Sequence, residues 1–485
     1  MSPRSFVAAL LLFATACAVG PDYEEPRVEL PASWRQPTGS GLAAGAPVDG
    51  PFWRSLGDPL LDQLVEQALV QNLDLRASFA RLMAARALRG AAVADYGPRL
   101  DGRGSYEYRR ESRNTPFGAF IPRTDIHTIA VDATWELDLW GRVRRSVEAA
   151  SADLDASAAD VRGAALTVAT EVVATYVDLR TAQQRFAIAR ANLELQERTL
   201  GLVQARAEAG LVVERDVAQA TTNVESTRSR LPMLEAEASA AQNRLAVLLG
   251  RAPGDLPLDL TTTAPLPTLP VSVAVGVPAD LLRRRPDVQA AERRFAAEVA
   301  RIGATEAERY PRFSLGGTLG LSANSADMVF DSGSDLSAFG PSLQWNLFDG
   351  GRLRQRVKAL TANAEAAQIA WEQTVLLALE EAENAMTRFV REQSRRGSLQ
   401  RAAAEAARAV ELAQSQYRAG LSDFQAVIDS ERTVATIQDD LVNSEAAVAG
   451  SLVAIWKALG GDLVPSTPPA STGGSSAAAG PVAGR

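Results

Sequence analysis

Trp135-Glu-Leu-Asp-Leu-Trp-Gly-Arg142 returns about 210 residues later as Trp345-Asn-Leu-Phe-Asp-Gly-Gly-Arg352, and the same offset relates Ala209-Gly-Leu211 to Ala419-Gly-Leu421 and Leu249-Gly250 to Leu459-Gly460. Two copies at a fixed offset indicate a duplicated half; a solenoid would need more repeats. Within each copy an apolar stripe follows the helical spacing of three and four: Val143, Val147, Ala150, Leu154, Ala158, Val161, Ala165, Val168, Val172, Tyr176 and Leu179, and again Leu353, Val357, Leu360, Ala364, Ala367, Trp371, Val375, Ala378, Ala382, Ala385 and Phe389. No proline stands between Pro122 and Pro232 or between Pro341 and Pro465 to interrupt either helix. From Gly141 to Ala209 is about 69 residues, a rod of roughly 100 Å. A chain that builds two such rods and turns each at an Ala-Gly-Leu has a function that depends on reach.

Composition narrows the classes. A net charge of -8, with no basic run carrying interleaved aromatics, argues against a nucleic-acid partner. The single cysteine, Cys17, excludes an intramolecular disulfide framework and a cysteine-cluster metal site. His127 is the only histidine, so no histidine-based catalytic or zinc constellation can form. The expectation is a protein that is not an enzyme and carries no catalytic or metal site.

Residues 1–16 have the layout of a secretory signal: Arg4, an apolar run and small residues before Cys17. A cysteine there suggests a lipoprotein signal, with an ordinary signal peptide as the plainer alternative. Residues 17–57 are rich in Pro and Gly and read as a lipidated strap. The first repeat spans 58–250, a Pro-rich connector 251–285, the second repeat 286–460, and a Ser/Ala/Gly/Pro tail 461–485 is expected to be disordered. Asp58-Pro59 is a helix start signal, with Pro286-Asp287 as its counterpart, and Pro232 is expected to kink the first return helix.

Each repeat carries two strands before its long helix. Residues 99–110 and 125–139 flank a loop at 114–123, and the second strand alternates: His127, Ile129, Val131, Ala133, Trp135, Leu137 and Leu139 to one side, Thr128, Asp132, Thr134, Glu136 and Asp138 to the other. The second copy repeats this from Phe313 to Ser322 and from Leu336 to Phe348. Such strands match transmembrane β-strands, apolar toward lipid and polar toward a lumen; soluble hairpins capping a helical bundle are the alternative. Four strands cannot close a barrel, and lipid does not tolerate an open edge, so the transmembrane reading requires further copies of the chain.

With this strand-strand-helix-tip-helix unit, the chain resembles the outer-membrane factors, the TolC-like channels, and within them the lipoprotein branch of NodT- or OprM-type efflux subunits. The resemblance rests on Cys17-Ala-Val-Gly-Pro-Asp-Tyr-Glu-Glu-Pro26, on Arg284-Arg285-Pro286-Asp287 and on the two Gly-Leu tips, and covers about residues 17 to 462. It implies a mainly α fold with a transmembrane β portion, a homotrimer whose 12-strand β-barrel is continued by a 12-helix α-barrel. It also implies diacylglycerol and N-acyl lipid (palmitate) on Cys17 without any other cofactor, and residence in the outer membrane of a Gram-negative bacterium with the helices in the periplasm. Ala18 after the cysteine is compatible with outer-membrane sorting. The resemblance further implies a constriction at Asp429, links that hold the entrance shut at Asp216 and Tyr417, and docking of a periplasmic adaptor at Gly210, Leu211, Gly420 and Leu421. A plain solvated carboxylate at Asp429, and tips at which Gly merely ends a helix while Leu packs locally, are the structural alternatives. Two family positions differ: Ser422 stands in place of an Arg of the lock, and Ala426 in place of a second acidic residue.

The function implied is a passive exit duct of a tripartite efflux pump, with a periplasmic adaptor and an inner-membrane transporter of the resistance-nodulation-division type as partners. The alternatives are a type I secretion duct, a structural trimeric coiled-coil lipoprotein without a pore, and an envelope hydrolase on a stalk, for which no site is present. The transported substrate is not legible in the sequence.

Overall fold

The computed structural model describes residues 18–36, 41–43, 45, 51–112, 114, 120, 123–270 and 272–461. The leader, Cys17 with its expected lipidation, and the tail from residue 462 lie outside the described residues. In chain order the elements are β1 (Leu42–Ala43), a 3-10 turn (Phe52–Leu56), α1 (Pro59–Gln71), α2 (Leu73–Ala94), β2 (Arg99–Arg109), β3 (Thr124–Leu137), α3 (Arg142–Glu208), α4 (Glu214–Arg228) and α5 (Leu231–Leu248). There follow β4 (Val273–Ala274), α6 (Asp280–Arg284), α7 (Pro286–Ala307), β5 (Arg312–Ala323), a 3-10 turn (Ala326–Met328), β6 (Asp335–Gln344), α8 (Arg352–Arg418) and α9 (Phe424–Ala458). The order strand, strand, long helix, return thus occurs twice, and α3 and α8 each run 67 residues without a break.

The chain divides into two compact units. The first comprises Phe79–Ala159 and Asp287–Thr374 with the described part of Met1–Glu29. It holds an antiparallel sheet in the order β2-β3-β5-β6. The register pairs Gly102 with Val131, Val131 with Leu319 and Leu319 with Ser337, so these side chains share one face. On that face Leu100, Ile129, Val131, Leu315, Leu319, Phe339 and Leu343 are exposed. The other face is polar: the Thr318 hydroxyl donates to Asp132 at 2.7 Å, and Arg103 approaches the same carboxylate at 3.5 Å. Aromatic rings mark both ends of the apolar face. Tyr106 lies against His127 at 4.8 Å between ring centroids at one end. At the other, the Trp135 indole N–H donates to the Tyr96 carbonyl at 2.8 Å and that of Trp345 to the Arg309 carbonyl at 3.1 Å.

Both second strands end sooner than their alternation suggests, β3 at Leu137 and β6 at Gln344. In each case an aspartate beyond the strand caps the next helix. Asp138 accepts from the Val143 and Arg144 amides at 2.9 Å each, and Asp349 from those of Gly351 and Leu353 at 2.8 Å each. The strap is seated in the same unit. The Val19 amide donates to the Trp140 carbonyl at 3.1 Å, Asp22 pairs with buried Arg145, and the Tyr23 hydroxyl donates to Glu292. Gly20 lies so close to Gly303 that an added Cβ would stand 2.5 Å from the Gly303 Cα. The Gly-Pro-Asp-Tyr of the strap is therefore a docking segment.

The second unit comprises Leu30–Ser78, Asp160–Pro286 and Val375–Arg485 as far as it is described. The predicted stripes form its core: Ala165, Val172, Tyr176 and Leu179 of α3 and Val375, Ala378, Ala382 and Phe389 of α8 are all buried. The predicted start at Asp58-Pro59 is observed, with Asp58 Oδ1 accepting from the Leu60 amide at 2.9 Å. The Tyr176 hydroxyl donates to Asp58 Oδ2 at 2.6 Å, and burial together with that bond pushes its phenol up to about 12. The kink expected at Pro232 is seen as an interruption of the helix bonding at Ser229-Arg230, both of which keep helical φ and ψ, and Pro232 stands in the first turn of α5, where it has no N–H to leave unbonded. One boundary differs from expectation. The segment after Pro59 breaks at Asn72, which has ψ 133°. Its side-chain Oδ1 accepts from the Leu75 amide at 3.0 Å and its Nδ2 donates to the Leu248 carbonyl at 2.9 Å, so one residue starts α2 and holds the end of α5.

Candidate functional site

The tips lie in the second unit and are built alike. At the first, Gly210 has φ 68°, its amide donates to the Ala207 carbonyl and the Leu211 amide to the Arg206 carbonyl, both at 2.9 Å. At the second, Gly420 has φ 75°, and the amides of Gly420 and Leu421 donate to the carbonyls of Tyr417 at 3.1 Å and Gln416 at 2.9 Å. This paired bonding ends a helix by a left-handed residue, which glycine adopts without a Cβ penalty. The leucines do not pack locally: Leu211 is 72% and Leu421 80% exposed. Each tip presents an apolar side chain to its surroundings.

Behind the tips a small core joins both repeats. Val203 of α3, Ala220 of α4, Ala413 and Tyr417 of α8, and Phe424, Val427 and Ile428 of α9 are buried together, with Val217 packed against them. Val217 follows Asp216, so this core brings the chain around Asp216 and Tyr417 into one place. The two residues are not bonded to each other within the chain. Asp216 pairs with Arg215 at 3.3 Å, while the Tyr417 hydroxyl is buried with no hydrogen-bond partner among the described residues. Asp429 is exposed on α9, its Oδ1 accepting from Gln425 Nε2 at 2.8 Å.

Arg206, which the sequence did not single out, ties the two tips together. Its guanidinium lies 4.6 Å from the centroid of the Tyr417 ring, and its Nη1 and Nη2 donate to the carbonyls of Tyr417 and Arg418, each at 3.1 Å. A cation over an aromatic face that also satisfies the last carbonyls of a helix is stabilised three ways: by the ring, by the hydrogen bonds and by the helix dipole. The available signal was the mismatch in the repeat, since Arg206 stands where the second copy has Gln416. Glu431 was missed as well. It continues the apolar series Phe424, Val427, Ile428 and Val434, and is itself only 2% exposed.

No group of His, Cys, Asp and Glu among the described residues could hold a metal ion. No helix among them is long and apolar enough to cross a membrane. The membrane-type feature of the described chain is the sheet, with its apolar face and its polar face.

The sequence profile of a family described as outer membrane efflux protein matches residues 64–251 and 277–461. Nodulation protein T of Rhizobium leguminosarum bv. viciae is 33% identical over 439 residues, which cover 90% of this chain and 89% of that protein. Outer membrane protein OprJ of Pseudomonas aeruginosa is 31% identical over 475 residues, 95% of this chain and 96% of the relative. Among solved structures, the outer-membrane channel OprN is similar with a TM-score of 0.86 at 37% identity, covering 92% of this chain and 99% of that one.

Proposed function

The chain belongs to the outer membrane efflux protein family, and on that premise we propose that three copies of it form one exit duct, the outer-membrane part of a tripartite efflux pump of a Gram-negative bacterium. In this reading the chain is an internally duplicated subunit of a 12-strand barrel continued by 12 helices, anchored by lipid on Cys17. An inner-membrane transporter supplies the energy, and the chain itself performs no catalysis.

The observation that carries the reading is the four-stranded sheet, one face apolar and exposed and the other polar, with β2 and β6 each paired on one side only among the described residues. In lipid such edges need partners, and copies of the same chain supply them with closure. Ile369, Leu376, Leu377 and Leu412, exposed along α8, are further apolar surface that neighbouring copies would cover. The exposed Leu211 and Leu421 support the tips as the contact for a periplasmic adaptor. Asp429, exposed beyond the tip core, supports the entrance as an acidic constriction, since three carboxylates about an axis focus a negative field that admits cations and opposes anions. Asp216 and Tyr417 stand at the same end as the lock, and Arg206 supplies a cation there that the sequence lacks at Ser422.

The test is single-channel conductance in a planar bilayer at low salt, wild type beside Asp429→Ala. The wild type is expected to be cation-selective, and the variant to lose much of that selectivity and conduct more. No conductance from either protein, nor from the variant carrying Asp216→Ala and Tyr417→Phe as well, would sink the duct and favour a structural coiled-coil lipoprotein.

A further inference from the structure

Glu431 is a carboxylate in a core position, and each of the other three helices at the tip sends it a hydrogen bond. Thr199 of α3 donates its hydroxyl to Oε1 at 2.8 Å, Gln414 of α8 donates Nε2 to Oε1 at 3.2 Å, and Asn223 of α4 donates Nδ2 to Oε2 at 3.3 Å. Asn223 and Thr199 are buried too. The group stands between two apolar layers of α9, with Val427 and Ile428 a turn before it and Val434 a turn after, the latter packed with Ala406 and Val410 of α8. Asp429 lies two positions earlier on the same helix. At ~100° per residue the two carboxylates point roughly 200° apart. One faces solvent while the other faces the interior of the chain.

We propose that Glu431 is the positioning residue of the entrance: it fixes the helix that carries Asp429 against both helices of the first repeat, and it must leave its site for the entrance to widen. The inference rests on the reading of the tips as the channel entrance. Its physical basis is that a shift of α9 against α3 and α4 cannot preserve the bonds from Thr199 and Asn223 together. Once those part, the carboxylate is either buried without donors, which is unfavourable, or in water.

Protonation gives this a sign. Burial pushes the Glu431 carboxyl up, while the bonds from Thr199, Gln414 and Asn223 pull it partly back. No neighbouring charge takes part. Arg432 on its own helix turns its Nε–H to Asn223 Oδ1 at 3.3 Å, and Asp429 is exposed. Glu197 and Arg198 on α3, Glu225 and Arg228 on α4, and Glu411 and Arg418 on α8 are all exposed. The closed arrangement, with its raised pKa, therefore binds the proton more tightly than one in which the group reaches water. Its advantage is complete in acid and declines as pH rises through the pKa of the buried group. Rising pH favours the wider entrance.

The experiment is single-channel recording between pH 5 and 8 in phosphatidylethanolamine–phosphatidylglycerol bilayers, all in the Asp429→Asn background so that the exposed carboxylate does not titrate. The Asn variant is expected to lose cation selectivity relative to wild type, which checks the entrance reading, and its conductance is expected to rise with pH. Adding Glu431→Gln should abolish that rise and hold conductance at its acid value. Adding Thr199→Val, which removes a donor but keeps the carboxylate, should enlarge the rise and extend it to higher pH. A merely structural site would move both variants the same way. Selectivity lost as expected, with the pH profile unchanged by Glu431→Gln, overturns the inference alone. Selectivity retained in Asp429→Asn overturns the entrance reading and the inference with it.

Discussion

Gly320→Val is expected to prevent the protein from accumulating as an assembled outer-membrane species. Gly320 stands in β5, paired with Ala130 of β3 on one side and Leu336 of β6 on the other. A Cβ at this position would meet the Ile129 carbonyl oxygen at 2.4 Å, the Ala130 Cβ at 2.6 Å and the Ala130 Cα at 2.7 Å. Most of these are backbone atoms of the central strand, so no rotamer change relieves the contact. β3 and β5 must part, and their separation breaks the join between the hairpin of the first repeat and that of the second. Overpacking of a well-packed site costs about 1–3 kcal/mol and more where backbone must move. In the proposed barrel, where each sheet is closed by its neighbours, the loss would pass to every copy. Fractionated membranes measure the outcome. Gly340→Ala is the control, because a Cβ at Gly340 meets nothing within 4 Å. Wild-type accumulation of Gly320→Val would mean that β3 and β5 are not paired in this register.

The duplicated stretch around Trp135 and Trp345 made most of the architecture legible. The apolar period located both long helices, alternation located the strands, and Ala-Gly-Leu located both turns, because each of these signals depends only on residues near in sequence. Strand ends and helix breaks were read less well, since they depend on one polar side chain choosing a partner. Asp138, directly after β3, caps α3 instead of extending the strand, and Asn72 breaks a helix because Leu248, far along the chain, offers it a carbonyl. The site divides in the same way. The Gly-Leu tips and Asp429 follow from local pattern and resemblance. Arg206 and Glu431 act across the repeats, Arg206 on the carbonyls of Tyr417 and Arg418, Glu431 on Thr199 and Asn223, and such contacts become visible only when the helices are docked. Both residues did break the pattern around them: an arginine where the other copy has glutamine, and a glutamate where the stripe calls for an apolar side chain. In a duplicated chain, such departures are where the two halves have become different parts of one device.

Arg285→Ala is expected to destabilise the second unit by about 2 kcal/mol, toward the lower end of what losing a hydrogen bond made by a charged group costs. Arg285 is buried at the end of the connector, and its Nη1 donates to the Ala458 carbonyl at 3.1 Å and to Glu381 Oε2 at 2.8 Å. Ala458 is the last residue of α9, so the guanidinium satisfies a terminal carbonyl and stands at the negative end of the helix dipole. Without it the carbonyl is left in a site too well packed for easy hydration, whereas Glu381, about half exposed, can return to water. That difference places the cost at the lower end of the range. The matching contact in the first repeat is neutral, Asn72 donating to Leu248, and it shows what the charge adds. If the hydrogen bond alone held α9, Arg285→Gln would retain most of the stability. If the cation matters, Arg285→Lys should recover more than Arg285→Gln does, even though lysine lacks the planar fork. Thermal unfolding of the purified protein in detergent separates these cases, with added salt as a second axis, because a buried pair is screened far less than an exposed one. A melting temperature for Arg285→Ala within a degree or so of wild type would rule out Arg285 as a tie between the connector and the return helix. The Arg284-Arg285-Pro286-Asp287 sequence would then matter only as the start of α7. A loss of the expected size makes it the joint at which the second repeat closes on itself, with Gly460, φ 78°, packed against the Arg284 backbone where a Cβ would stand 2.7 Å from the carbonyl carbon.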